Sequence, residues 1–159
     1  MRIVSAGQLS TDAWELVGDA VEILPACAIV RLPRWRQASP VSGRSPFGLL
    51  ITGDDERTAI LAALPRCPLV AIEFASFGDG RGYSLARLVR DAGYVGDLRA
   101  VGDILRDQVF FLTRCGFSSL APAAHVDGED FVRGLRDFSA VYQTAADQRP
   151  TVAQLRWAR

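Results

Sequence analysis

Apolar and polar positions follow two different rhythms along the chain, and the change between them marks its organisation. In the first third the apolar runs are short, Arg2 to Ser5, Trp14 to Val17 and Cys27 to Leu32, and they are separated by Gly7, Gly18-Asp19 and Pro25. Short runs punctuated by turn residues predict an irregular, β-rich segment. Pro33 closes the last run. The stretch RWRQASPVSGRSP, Arg34 to Pro46, with two prolines, three serines and a glycine, then predicts an exposed loop whose start Trp35 anchors.

From Phe47 the pattern becomes regular. FGLLIT, LVAIEF, DLRAVG and SSLAPA read as strands, each followed by a stretch of helical period, the last of these being DGEDFVRGLRDFSAVYQ. The strand-like runs begin near Phe47, Leu69, Leu98 and Ser118, at spacings of 22, 29 and 20 residues. Such spacing suits βα repeats joined by right-handed crossovers. Ile60, Leu61 and Leu64 form one helical stripe, Leu85, Leu88 and Val89 a second, and Leu105, Val109 and Leu112 a third. Gly93 and Gly116 stop the second and third helices. The expected fold is therefore α/β: four consecutive βα units forming a parallel sheet, half-barrel-like or open, with a short β-rich N-terminal segment. Four similar units in succession imply rotation in one direction, which favours the curved half-barrel.

The length of 159 residues suits one domain with one core. Within it, residues 1–46 form the β-rich segment and loop, 47–143 the repeats, and 144–159 a polar tail, either a frayed terminus or a docking strip carrying Leu155 and Trp157. Apolar residues at 49% and charged ones at 23% exclude a disordered chain, and 18 basic against 18 acidic side chains argue against a nucleic-acid partner. The beginning of the chain lacks the apolar stretch of a signal peptide, and no apolar run approaches the ~20 residues that span a bilayer, so a cytoplasmic protein with no membrane partner is expected.

All 18 basic residues are Arg, and Asn is also absent. A GC-rich genome accounts for both, and without Lys there is no Schiff-base nucleophile and no P-loop lysine. Cys27, Cys67 and Cys115 are scattered and odd in number, giving neither a CxxC pair nor a disulfide framework. His125 is the single histidine, in a loop after the fourth strand. No metal site, flavin, haem or iron–sulfur centre is expected from this inventory.

Candidate chemistry lies after the strands, since α/β folds gather ligands there. After LVAIEF, the loop with Gly78, Gly80 and Gly82 puts Arg81 just before a helix, as an oxyanion cradle would; the alternative is a tight turn with Arg81 paired to Asp79. Its spacing is GxGxG, so a dinucleotide site is not supported. After DLRAVG, Asp103 is placed as the N-cap of the third helix. Asp107 and Arg114 share a face of that helix, flanked by Arg106 and Gln108, and a solvated, salt-bridged face is the commoner explanation of such a pattern. Arg81, Arg99 and Arg106 are positioned to converge on one small anion. Glu73 and Arg99, inside strands expected to be buried, suggest a buried pair. Cys115 reads as a small buried group.

The segment Phe74 to Phe117 resembles a bacterial family catalogued as domain of unknown function 934. The resemblance rests on DGRGYS (Asp79 to Ser84, with Asp79, Gly80, Arg81, Gly82, Tyr83 and Ser84), LRAVGD (Leu98 to Asp103), LRDQ (Leu105 to Gln108) and RCGF (Arg114 to Phe117), with looser similarity from about Cys27 to Gln143. Ala75 and Gly78 stand where Pro and Thr are usual in that family. The resemblance implies a protein associated with assimilatory sulfite reduction, a family labelled as oxidoreductases of that process, and it brings no catalytic residues. Two readings follow. One is an accessory protein that binds a small anion, or a partner such as sulfite reductase or another sulfur-assimilation protein, through the Asp79–Ser84 and Asp103–Gln108 loops. The other is a small enzyme acting on an anionic metabolite, with Asp79, Asp103 or Asp107 as general base and Arg81 or Arg99 as clamp. Converging groups in a closed pocket distinguish the enzyme; an exposed face with apolar residues between the charges distinguishes the interaction protein.

Overall fold

Six strands take their places in the sheet in the order in which the chain forms them. A computed structural model describes residues 1–39, 43, 45–147 and 149–157. The strands are β1 (Arg2–Ser5), β2 (Gln8–Thr11), β3 (Glu15–Leu16), β4 (Ala28–Arg31), β5 (Gly48–Ile51), β6 (Leu69–Phe74), β7 (Asp97–Gly102) and β8 (Ser119–Leu120). The helices are α1 (Leu32–Ala38), α2 (Arg57–Ala63), α3 (Arg81–Asp91), α4 (Val109–Arg114), α5 (Gly128–Gly134) and α6 (Val152–Trp157). The sheet order is β2-β1-β8-β7-β6-β5-β4-β3, with every neighbour from β3 to β8 parallel. An unreversed order puts successive right-handed crossovers on one face and curls the sheet one way, whereas a doubly wound sheet reverses. The result is an open, curled half-barrel.

Burial follows this geometry. Val30, Leu49, Ile51, Val70, Ile72, Leu98 and Leu120 point to the helix side and pack with Trp35, Ile60, Leu85, Val89, Val109 and Phe131 in one core. The alternate positions Ile29, Leu50, Leu69, Ala71 and Val101 line the concave face with Ile3, where Met1 and Trp14 pack over them. Period-two alternation thus serves two buried faces, as a parallel sheet requires.

Three expectations change. The fold is not strictly four parallel βα units: β4–α1 is a further unit before them, and β1 and β2 close the far side of β8 as an antiparallel hairpin. The predicted loop from Arg34 to Pro46 begins instead as helix α1, because Pro33 sets the first turn and Leu32 and Trp35 share a buried face; residues 40–42 and 44 of that loop lie outside the described residues. Trp35 does anchor this region, donating its indole N–H to the Phe47 carbonyl at 3.0 Å. The last predicted helix is confined to α5, capped by Asp127, which accepts from the Glu129 N–H at 3.0 Å. The tail forms the short α6, with Leu155 and Trp157 exposed.

The stop signals hold. Gly93 and Gly116 have φ of 84° and 103°, and the next amides, of Tyr94 and Phe117, bond back to Val89 and Leu112 as in a left-handed cap. Among the described residues no helix is long and apolar enough to cross a membrane.

Candidate functional site

Three of the four motifs that carry the family resemblance, DGRGYS, LRAVGD and RCGF, meet around Phe74, the buried last residue of β6. A Cβ at Gly82 would lie 2.5 Å from the Phe74 ring, so the first turn of α3 sits directly on that ring only because residue 82 is glycine. Tyr83 packs edge-on to Phe74 at 5.3 Å between centroids, and Phe117 of RCGF lies 5.9 Å away. Gly102, with φ of 94°, presses on the Phe74 carbonyl, where a Cβ would come within 2.4 Å, and the Asp103 amide donates to that same carbonyl at 2.9 Å. Gly78, Gly80 and Gly82 all avoid positive φ. Of these three glycines only Gly82 is demanded by close packing, Gly78 and Gly80 facing open space, and none has the unusual backbone angle expected for an anion cradle.

The cation of that loop is already neutralised. Arg81 forks onto Asp79, with Nε to Oδ1 at 2.9 Å and Nη2 to Oδ2 at 2.8 Å, and its Nη1 reaches Asp54 at 2.5 Å. The Arg81 hydrogen bonds hold Asp79 down to about 2 and, with the Asp54 carboxylate, push the Arg81 guanidinium upward. The paired turn, not an open cradle, is what forms. Ser84 and Arg81 do line a small hollow of about 340 Å³ with Gly53, Asp55 and Arg57.

Asp103 and Gln108 act together on Phe77. The Asp103 carboxylate accepts the Phe77 amide at 3.0 Å, and the Gln108 side-chain amide donates to the Phe77 carbonyl at 2.7 Å. Both backbone groups of one loop residue are thus held from the next βα loop, and the Phe77 ring stands 60% exposed. Asp103 is therefore not the N-cap that its spacing suggests. Gln108 satisfies that end instead, accepting the Leu105 amide at 2.9 Å. Leu105 and Phe111 are exposed beside this turn in the chain, and Tyr83 packs on Phe111 at 4.9 Å between centroids. Burial raises the Tyr83 hydroxyl above its usual range.

The three arginines do not converge. Arg106 pairs with Asp130 at 3.2 Å and Asp137 at 2.8 Å. Arg99 lies on the concave face toward the other end of the sheet, 2% exposed, held by Asp12, Asp97 and the Ser119 hydroxyl. The expected Glu73–Arg99 pair is replaced: Glu73 bonds Arg31 at 2.8 Å. Register explains the change, since Arg99 aligns with Ala71 and Glu73 with Val101, two positions further along the same face. Asp107 is exposed, and Arg114 is buried against Asp147 at 3.1 Å instead of sharing a surface with Asp107. His125 is exposed. Burial pushes the Cys67 thiol up to about 12 and raises Cys115 as well, which disfavours thiolate nucleophiles at both. Among the described residues no three His, Cys, Asp or Glu side chains are grouped to hold a metal.

Phe77, Asp54 and Arg31 escaped the sequence reading. A large apolar residue between Ser76 and Gly78 in an otherwise polar, glycine-rich loop was the available signal for Phe77.

No curated protein and no solved structure matches the chain. A family model described as bacterial protein of unknown function (DUF934) matches residues 48–153, from the start of β5 into α6, which leaves the β1–β2 hairpin, β3 and β4 outside the match. With two thirds of its length covered, the chain belongs to the bacterial DUF934 family.

Proposed function

We propose that this chain is an accessory protein of assimilatory sulfite reduction that docks a partner protein, sulfite reductase, through the loops at the C-terminal ends of β6 and β7. The observation that carries this reading is the presentation of Phe77: a ring held out in solvent on a backbone clamped at both N–H and C=O. An aromatic side chain carried on a backbone fixed before binding loses less entropy on docking than one on a mobile loop, which is how interface anchors gain affinity. The surrounding charges, Arg81 with Asp79 and Asp54, and Arg106 with Asp130 and Asp137, are mutually satisfied and exposed or half-buried, the arrangement of a polar rim. The partner's identity comes from the family resemblance.

The enzyme reading is less well supported by the same groups. A carboxylate held at about 2 is a weak base at neutral pH, so Asp79 is poorly matched to proton abstraction. Asp103 is engaged with the Phe77 amide, and Arg81 and Arg99 have their donors on carboxylates.

Sedimentation velocity of the purified protein mixed with assimilatory sulfite reductase tests the proposal. A complex that Phe77→Asp abolishes, with the melting curve unchanged, is the expected result. No complex at concentrations on the order of 100 μM, or one indifferent to Phe77→Asp, overturns it.

A further inference from the structure

A cleft of about 910 Å³ lies at the opposite pole, at the N-terminal ends of β7 and β8. Its floor is apolar, with Val4, Phe117 and Leu120 below and Tyr94 and Leu135 at the sides. That size falls in the range of roughly 300–1,000 Å³ found for small-molecule sites. The β1–β2 hairpin turn forms one wall, and the chain after α5 forms another. The cleft is thus walled on two sides by elements that depart from simple βα repetition.

Its polar groups are few and unbalanced. Arg90, Arg136 and Arg149 line it against a single carboxylate, Asp147, which is itself held by Arg114 at 3.1 Å and Arg149 at 3.5 Å. Helices α3 and α4 end here, and their C-termini bring partial negative charge. Arg90 meets that charge by donating to the carbonyls of Gly116, Tyr94 and Gly96 at 2.8, 2.7 and 3.0 Å. Arg136 is left over: its guanidinium makes no hydrogen bond or ion pair with any described residue. A forked, always-charged donor above an apolar floor suits a carboxylate or sulfonate carried on an apolar body.

We propose that this cleft binds a small amphiphilic monoanion, with Arg136 holding the anionic head and Val4, Phe117 and Leu120 receiving the apolar body. The site lies away from the strand ends where α/β proteins usually bind ligands. At those ends of this fold Arg81, the cation of the glycine loop, is already matched by Asp79 and Asp54.

Calorimetric titration of the full chain with sodium octanoate tests this, with octylammonium chloride and sodium sulfate as parallel titrants. The expected result is one saturable octanoate site, weakened roughly tenfold or more in Arg136→Gln at an unchanged melting temperature, and no comparable binding of octylammonium or sulfate. Amide spectra recorded during the titration should show Val95, Gly116 and Arg136 shifting together. Absence of saturable octanoate binding, equal affinity in Arg136→Gln, or octylammonium binding as tightly as octanoate overturns the proposal. Co-sedimentation with phosphatidylglycerol vesicles without octanoate binding overturns it too, because the ligand would then be a membrane surface.

Discussion

Arg99 in β7 donates to the carboxylate of Asp12, 2.5 Å away and 87 residues earlier in the chain. The pair ties the irregular N-terminal segment across the concave face of the half-barrel. Asp97 accepts from the same Nη2 at 2.8 Å and the Ser119 hydroxyl from Nε at 3.0 Å, which is why a charge can rest there nearly without solvent.

The network is asymmetric, and so are its expected losses. Asp12 and Asp97 are 24% and 31% exposed and water can hydrate them, so Arg99→Met should cost about 1 to 3 kcal/mol. The double variant Asp12→Asn, Asp97→Asn strands a buried guanidinium and should cost roughly 3 to 5 kcal/mol. Urea melts of the three proteins compare them. Equal losses would contradict the burial asymmetry.

Asp79 should titrate anomalously. Its folded pKa, about 2, lies below the usual 3.8, so the contribution of its ionised form to stability is fully present above 3.8 and is lost as pH falls through about 2. Carboxyl carbon shifts followed by NMR should give a midpoint near about 2 in the wild type and one displaced toward 3.8 in Arg81→Ala. An unmoved midpoint would mean that Arg81 is not the cause.

The motif glycines should separate by packing. Gly102→Ala puts a Cβ against the Phe74 backbone at positive φ and is expected to cost roughly 2 to 5 kcal/mol. Gly82→Ala must displace the Phe74 ring and should cost about 1 to 3 kcal/mol. Gly80→Ala meets no neighbour and has φ of −71°, so its effect should stay within about 0.5 kcal/mol. Thermal melts rank the three, and a Gly80→Ala loss as large as the others would restore a special backbone role for the glycine loop.

The β1–β2 turn is open to improvement. Ala6 and Gly7 have φ of 50° and 76°, both positive as a type I′ hairpin turn requires, and Ala is a poor choice for the first position. Ala6→Asn should raise stability by about 1 kcal/mol, read as a shift in denaturant midpoint at constant slope. A lowered midpoint would show that the Ala6 side chain makes a contact worth more than the strain it causes.

Local periodicity was enough to place β5, β6, β7 and the helices after them, because strand alternation and a helical stripe are written in consecutive residues. The caps at Gly93 and Gly116 were legible for the same reason: one residue type answers one backbone requirement. The strands of LVAIEF and DLRAVG, successive in the repeat, also pair as neighbours. What pairing partner each charge takes was not legible. Glu73 and Arg99 share a face, but parallel register separates them by two positions and offers each a nearer partner, Arg31 and Asp12, from chain segments whose approach only folding sets. Helix α1 was hidden by its proline and polar residues and strand β2 by polar residues alone, and it is the burial of Trp35 in one case and pairing with β1 in the other that decides them. The glycine loop shows the same division. Its residues announced themselves in the sequence, but whether bare backbone there served a ligand or a neighbouring ring depended on Phe74, seated beneath Gly82 by the packing of α3 on β6.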